Sequence, residues 1–202
     1  MAIRSLKSGS FSRSAQVGNS IILPGDYESI ATVTGNGSSS TITFSSIPST
    51  YKHLQIRWIA RQASGGNANI TGQLKFNGTS TYYVDHVLQA VNGSVSSNSN
   101  QNAPGWNTYI NIPYIGTGSA SLTSTYGVGI MDIIDYASTS KNKTVRMFYG
   151  TDGNGDANTT YHVSLRSGLF ADTTAISSIT ITTSNATAWN TGTTFALYGI
   201  RG

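Results

Sequence analysis

The chain has 202 residues, of which 12 are Lys or Arg and 8 are Asp or Glu, giving a formal charge of +4; it has 22 glycines, 4 prolines and no cysteine. The length fits one domain. Lack of cysteine excludes a disulfide framework and the commonest zinc ligand. The positive charge comes from few acids rather than clustered bases, which excludes the basic stripe of a nucleic-acid-binding surface.

Residues 1–26 are dominated by Ser, Gly, Arg and Asn and predict an extended N-terminal arm. Arg4, Lys7 and Arg13 precede the first acid, Asp26, and Val17, Ile21, Ile22 and Leu23 are the arm's apolar cluster. The arm lacks the continuous apolar run of a signal peptide or membrane anchor. Pro24, Gly25 and Asp26 end it with a turn signal.

From residue 27 the pattern is strand after strand. Residues 27–34 and 41–44 predict two strands with Asn36 and Gly37 as a hairpin turn between them. The clearest alternation runs over 52–61. Leu54, Ile56, Trp58 and Ala60 fall on one face, while His53, Gln55, Arg57 and Arg61 fall on the other, with Ile59 the exception. That is a half-buried strand whose cationic side meets water or a partner, so His53, Arg57 and Arg61 are candidate surface or interface residues. Further strands are predicted over 70–76, 82–88, 108–114, 127–135, 143–150, 161–165, 176–182 and 194–200. Asn77 and Gly78 mark another turn, and 91–104 reads as a long exposed loop. A single helical turn fits 135–139, and no segment has a sustained helical period. About ten short strands separated by polar loops predict an all-β, jelly-roll-like two-sheet antiparallel sandwich over 27–202.

Candidate chemistry is sparse. Asp132 and Asp135 are near in sequence, but an i, i+3 pair on a strand points to opposite faces, and pairing with Lys141 or Lys143 accounts for them. Asp152, Gly153, Asn154, Gly155 and Asp156 begin like a calcium loop, but Val163 stands where the bidentate Glu of the EF-hand belongs, which leaves a plain Gly/Asn/Asp hairpin loop or a calcium loop of another type. His53, His86 and His162 sit in separate predicted strands and read as surface or interface residues. Tyr82, Tyr83, Trp106, Tyr109, Tyr114 and Trp189 suit either a sugar-stacking platform or core anchors. No catalytic residue, metal site or cofactor is expected.

Several segments resemble a family. The runs Tyr-Glu-Ser-Ile-Ala-Thr-Val over 27–33, Phe-Ser-Ser-Ile-Pro-Ser-Thr-Tyr-Lys-His-Leu-Gln-Ile-Arg over 44–57, Asp-Ile-Ile-Asp-Tyr over 132–136, Lys-Asn-Lys-Thr-Val-Arg over 141–146 and Phe-Ala-Leu-Tyr-Gly-Ile over 195–200 are similar to small structural proteins of tailed bacteriophages, of the head-decoration (cement) or tail-fibre type. The resemblance spans residue 10 to the C-terminus and implies a jelly-roll-like fold and a structural, non-enzymatic role in the virion. The expectation is a capsid decoration protein on the outer surface of the phage head. Its partners would be the major capsid protein and further copies of itself, with a trimer suiting a threefold position, and neither nucleic acid nor membrane. The alternative is a tail-fibre or tail-spike protein that recognises bacterial surface glycans.

Overall fold

The computed structural model describes residues 15–17, 20–22, 26–63, 69–100, 106–118, 123–153 and 161–202. Among these residues there is no helix, and every strand ladder is antiparallel. The chain is an all-β sandwich, as its alternating pattern predicts.

Of the arm expected over 1–26, the description covers Asp26 and the backbone of two three-residue strands, β1 (Ala15–Val17) and β2 (Ser20–Ile22), paired so that Ala15 lies opposite Ile22. Val17, Ile21 and Ile22 belong to this small hairpin; Arg4, Lys7, Arg13 and Leu23 lie outside the described residues.

The body is built from four nested strand pairs. β3 (Tyr27–Thr34) pairs with β14 (Thr194–Ile200), and β4 (Thr41–Phe44) with β13 (Ile179–Thr183). β5 (His53–Ala60) pairs with β10 (Gly127–Ile134), and β6 (Ile70–Phe76) with β9 (Ile110–Gly116). First pairs with last, second with second-to-last, and so inward. Rolling such a ribbon puts alternate pairs in opposite sheets, giving β3-β14-β5-β10 in one and β4-β13-β6-β9 in the other. This is the winding of a jelly roll. Two hairpins are added to it: β7 (Tyr83–Val91) with β8 (Ser94–Asn100), and β11 (Lys143–Thr151) with β12 (His162–Phe170). β12 also pairs with β7, so the first sheet widens to eight strands, β3-β14-β5-β10-β11-β12-β7-β8.

The inner faces meet in one apolar core. Leu54, Ile56, Trp58 and Ala60 of β5 all point into it, as their alternation predicts, and pack with Met131, Ile133, Phe195 and Leu197 of the same sheet. The four-stranded sheet answers with Ile42, Phe44, Leu74, Phe76, Ile110 and Ile181. Trp58 lies across Gly129, its direct partner on β10, where a Cβ would come within 2.1 Å of the indole ring. Its Nε1 donates to the Ile115 carbonyl at 3.2 Å, so the buried indole keeps a partner.

Several sequence expectations change. Residues 91–104 are not one loop. Asn92 and Gly93, both at positive φ, form a two-residue turn, and β8 returns along β7 with Val91 opposite Ser94. The Asn36–Gly37 turn forms, with Asn36 Oδ1 accepting from the amides of Ser38 and Ser39, but it joins β3 to β4 across the two sheets and is no hairpin. The helical turn expected at 135–139 is a plain turn, with the Ser138 amide donating to the Asp135 carbonyl.

Candidate functional site

The outer face of the eight-stranded sheet carries the most unusual surface. Strand pairing puts its outward side chains in rungs. One rung runs Thr194, Ile59, Val128, Gly150, Val163, Ala90 and Val95 from β14 to β8. The next runs Ala196, Arg57, Ile130, Phe148, Leu165, Leu88 and Ser97. A soluble sheet would be expected to put polar residues here. Instead Phe148 and Leu165 are each 53% exposed, Leu88 52%, Val128 54% and Val95 74%. Ile59, Val163 and the nearby Tyr161 are likewise exposed. Single exposed hydrophobes are ordinary; a contiguous band of this kind marks an interaction surface.

The band is not flat. Gly150 has no side chain between Val128 and Val163, and a groove of about 620 Å³ opens there, flanked by Ile59, Ile130, Phe148 and Ala196. Phe148 stands two residues from Gly150 on the same strand and the same face, so a projecting ring and a recess lie side by side.

The following rung is polar and well satisfied. Gln55 donates from Nε2 to Asp132 Oδ1 at 2.8 Å, and Arg146 Nη2 reaches Asp132 Oδ2 at 3.1 Å. Gln55 Oε1 accepts from the Tyr27 hydroxyl at 2.7 Å and from Arg57 Nε at 3.0 Å. Tyr27 stacks on Tyr198 at 4.7 Å, and the Arg57 guanidinium lies 5.6 and 5.9 Å from the two ring centres. Arg57 is therefore on the surface, as expected, but it is held in an aromatic and amide setting beside the apolar band rather than in a cationic face.

The other two residues expected beside it part company. His53 is half-buried at the end of β5, its Nδ1 accepting from the Asp135 amide at 3.0 Å. Arg61 is 3% exposed and is not a surface residue. The strand ends at Ala60, the chain turns inward to bridge Thr117, and Arg61 Nη1 donates to the Thr125 carbonyl at 3.0 Å. His162 is a second correction. It was expected on the surface but is buried on the inner face of β12, between the rings of Tyr114 and Tyr149 at 4.5 and 5.5 Å. Burial, aided by the Arg166 charge, pushes its pKa from 6.5 down to about 4. Beside it the buried Asp85 and Arg166 form an ion pair across β7 and β12, with Arg166 Nε donating to Tyr149 Oη at 3.2 Å. Asp85 Oδ2 also accepts from the Asn111 amide of β9 at 3.1 Å, tying the added hairpins to the four-stranded sheet.

The acids weighed for catalysis are engaged in ion pairs. Asp135 meets Lys141 at 2.7 Å and Lys52 at 3.2 Å, and both lysines hold its carboxyl below the ordinary range. Among the described residues Lys143 forms no ion pair with a carboxylate. It is buried, and its ammonium donates to the carbonyls of Ser138, Lys141 and Thr173 at 2.6, 2.7 and 3.0 Å. Among the described residues no group of three or more His, Asp or Glu side chains is placed to hold a metal ion. Of the Asp152–Asp156 motif only Asp152 and Gly153 are described. Of the aromatic set, Tyr83 and Trp189 are core residues, whereas Tyr82 and Trp106 meet edge to face at 6.2 Å with both rings exposed. Tyr82 has φ = 73°, a costly conformation for a bulky side chain.

No protein-family model matches the chain, and comparison with curated proteins found no match. Among solved structures, a protein of unknown function from Shewanella oneidensis MR-1 aligns at 11% identity over 96% of this chain and 83% of its own, with a TM-score of 0.22. A structure of the infectious bursal disease virus Gx strain aligns at 11% identity over 92% of this chain and 43% of its own, with a TM-score of 0.11. At such scores neither likeness bears on fold or function.

Proposed function

We propose that this chain is a non-enzymatic structural protein of a bacteriophage virion, a decoration protein on the outer surface of the head that bridges neighbouring major capsid protein subunits as a homo-oligomer. The observation that carries the reading is the apolar outer face of the eight-stranded sheet. Eight large hydrophobes held in water on a rigid scaffold are a cost to a free monomer and a gain to one that assembles. At roughly 25 cal/mol per Å² the gain scales with area, before ordering costs are subtracted. Repetition over a symmetric shell then turns modest single contacts into firm attachment. The basic arm offers donors to acidic groups or carbonyls on a neighbour.

The deciding experiment is copy number in purified virions by quantitative mass spectrometry. Hundreds of copies per particle are expected for a head protein. A few to tens would place the chain in the tail and favour the second reading, a receptor-binding fibre or spike component. The exposed Tyr82–Trp106 pair, with its strained backbone, is the observation on that side, since paired aromatic edges and faces suit a sugar ring. Quenching of Trp106 fluorescence by host surface polysaccharide, lost in Tyr82→Ala, would support it.

A further inference from the structure

We infer that the apolar outer face is the interface of a twofold homodimer, in which the eight-stranded sheets of two copies pack face to face with Phe148 of each protomer seated over Gly150 of its partner. This rests on the reading of that face as an assembly surface, but not on the presence of a shell.

Area is the first argument. The eight exposed hydrophobes leave about 100 Å² open apiece, on the order of 800 Å² together, which is what one partner contributes to an interface of standard size. It also exceeds the ~300–600 Å² that a monomer ordinarily leaves in its largest apolar patch.

Self-complementarity is the second. In a twofold contact, if residue i touches j then j touches i. Take an axis lying between the two sheets, perpendicular to the strands and midway between the rungs of Phe148 and Gly150. It lays β11 of one protomer antiparallel over β11 of its partner and exchanges the two apolar rungs. Phe148 then faces the recess at Gly150, Ile130 faces Val128, Leu165 faces Val163 and Leu88 faces Ala90. Projection meets recess twice, once in each direction. Aligned packing of two antiparallel sheets is the ordinary way such faces are buried.

Charge gives the third argument and fixes the register. The same axis that places residue 148 over 150 places residue 146 over 152. Arg146, whose side chain is 73% exposed, therefore meets Asp152, which is exposed just past β11 in a recess that adjoins the groove at Val128, Gly150 and Val163. A slip of one rung along the strands would separate these charges and set Phe148 against a second Phe148 in one direction or against Asp152 in the other.

The test is sedimentation equilibrium and light scattering of the full chain from low micromolar to several hundred micromolar, without capsid. The expected species has twice the 21.3 kDa mass of one chain. Phe148→Asp, a surface substitution that leaves the β-sheet circular dichroism in place, should weaken the dimer about thirtyfold or more, as loss of a central aromatic anchor does. Asp152→Arg alone should weaken it several-fold, and adding Arg146→Glu should recover part of that loss, the remainder reflecting the broken Arg146–Asp132 pair. A monomer across the range, a trimer, or a dimer indifferent to Phe148→Asp overturns the proposal. So does a monomer that dimerises only once residues 1–25 are deleted, because the face would then be filled by the chain's own arm. A monomer that still coats shells refutes the dimer and leaves the decoration reading standing; a dimer that ignores shells does the reverse.

Discussion

His162 is held neutral by its surroundings, and this makes it a source of acid sensitivity. Its pKa is about 4 in the fold against 6.5 ordinarily. Between those values the unfolded chain binds a proton that the folded chain does not, so stability is complete above pH 6.5 and declines as pH falls through the window. The full window corresponds to on the order of 3 kcal/mol. Urea midpoints measured from pH 7 to 4.5 should fall for the wild type and stay nearly level for His162→Gln. The neighbouring Asp85–Arg166 pair makes a different prediction. Asp85→Ala strands a buried guanidinium and should cost about 3–5 kcal/mol, whereas Asp85→Leu with Arg166→Met should cost far less. Equal losses in the single and double variants, read from urea melts, would show that the stranded guanidinium is not the source of the cost and would point instead to the lost Asn111–Asp85 hydrogen bond.

Among the elements, β5 and β8 mark the range of what the sequence discloses. In β5 one face is uniformly apolar, so period-two alternation places Trp58 in the core without ambiguity. Trp58→Ala should cost about 3–5 kcal/mol by chemical denaturation, and unchanged stability would mean that the sheet closes over the gap. β8 was hidden because a Ser- and Asn-rich edge strand has no buried face to generate alternation; its one signal is the Asn92–Gly93 pair that starts it. The candidate interface was hidden for the opposite reason. In Met131–Ile130 and Met147–Phe148 both faces of the strand are apolar, and composition alone does not say which face is covered. Arg61 lies one residue beyond β5, where the chain has already turned inward to bridge Thr117, so the strand's alternation does not extend to it.

At the scale of the whole molecule, the body and the arm predict separable behaviour. Deleting residues 1–25 should leave the sandwich folded by circular dichroism, because the four nested pairs and two hairpins all lie beyond it. If Arg4, Lys7 and Arg13 anchor the protein, the deletion should weaken binding to undecorated shells most at low salt. The gap from the full chain should close as ionic strength screens the charges. Equal affinities at every salt concentration would make the arm a passive tail.

The position of β14 has a consequence for synthesis. It does not lie at the margin of its sheet but fills a slot between β3 and β5, bonded on both sides. A chain translated as far as β13 holds two strands with open edges and a core lacking Phe195 and Leu197. No stretch preceding residue 194 can close the jelly roll, so native folding waits until that strand has left the ribosome. Messages that stop short of it should yield aggregates rather than smaller folded proteins, as unpaired edges invite pairing between chains.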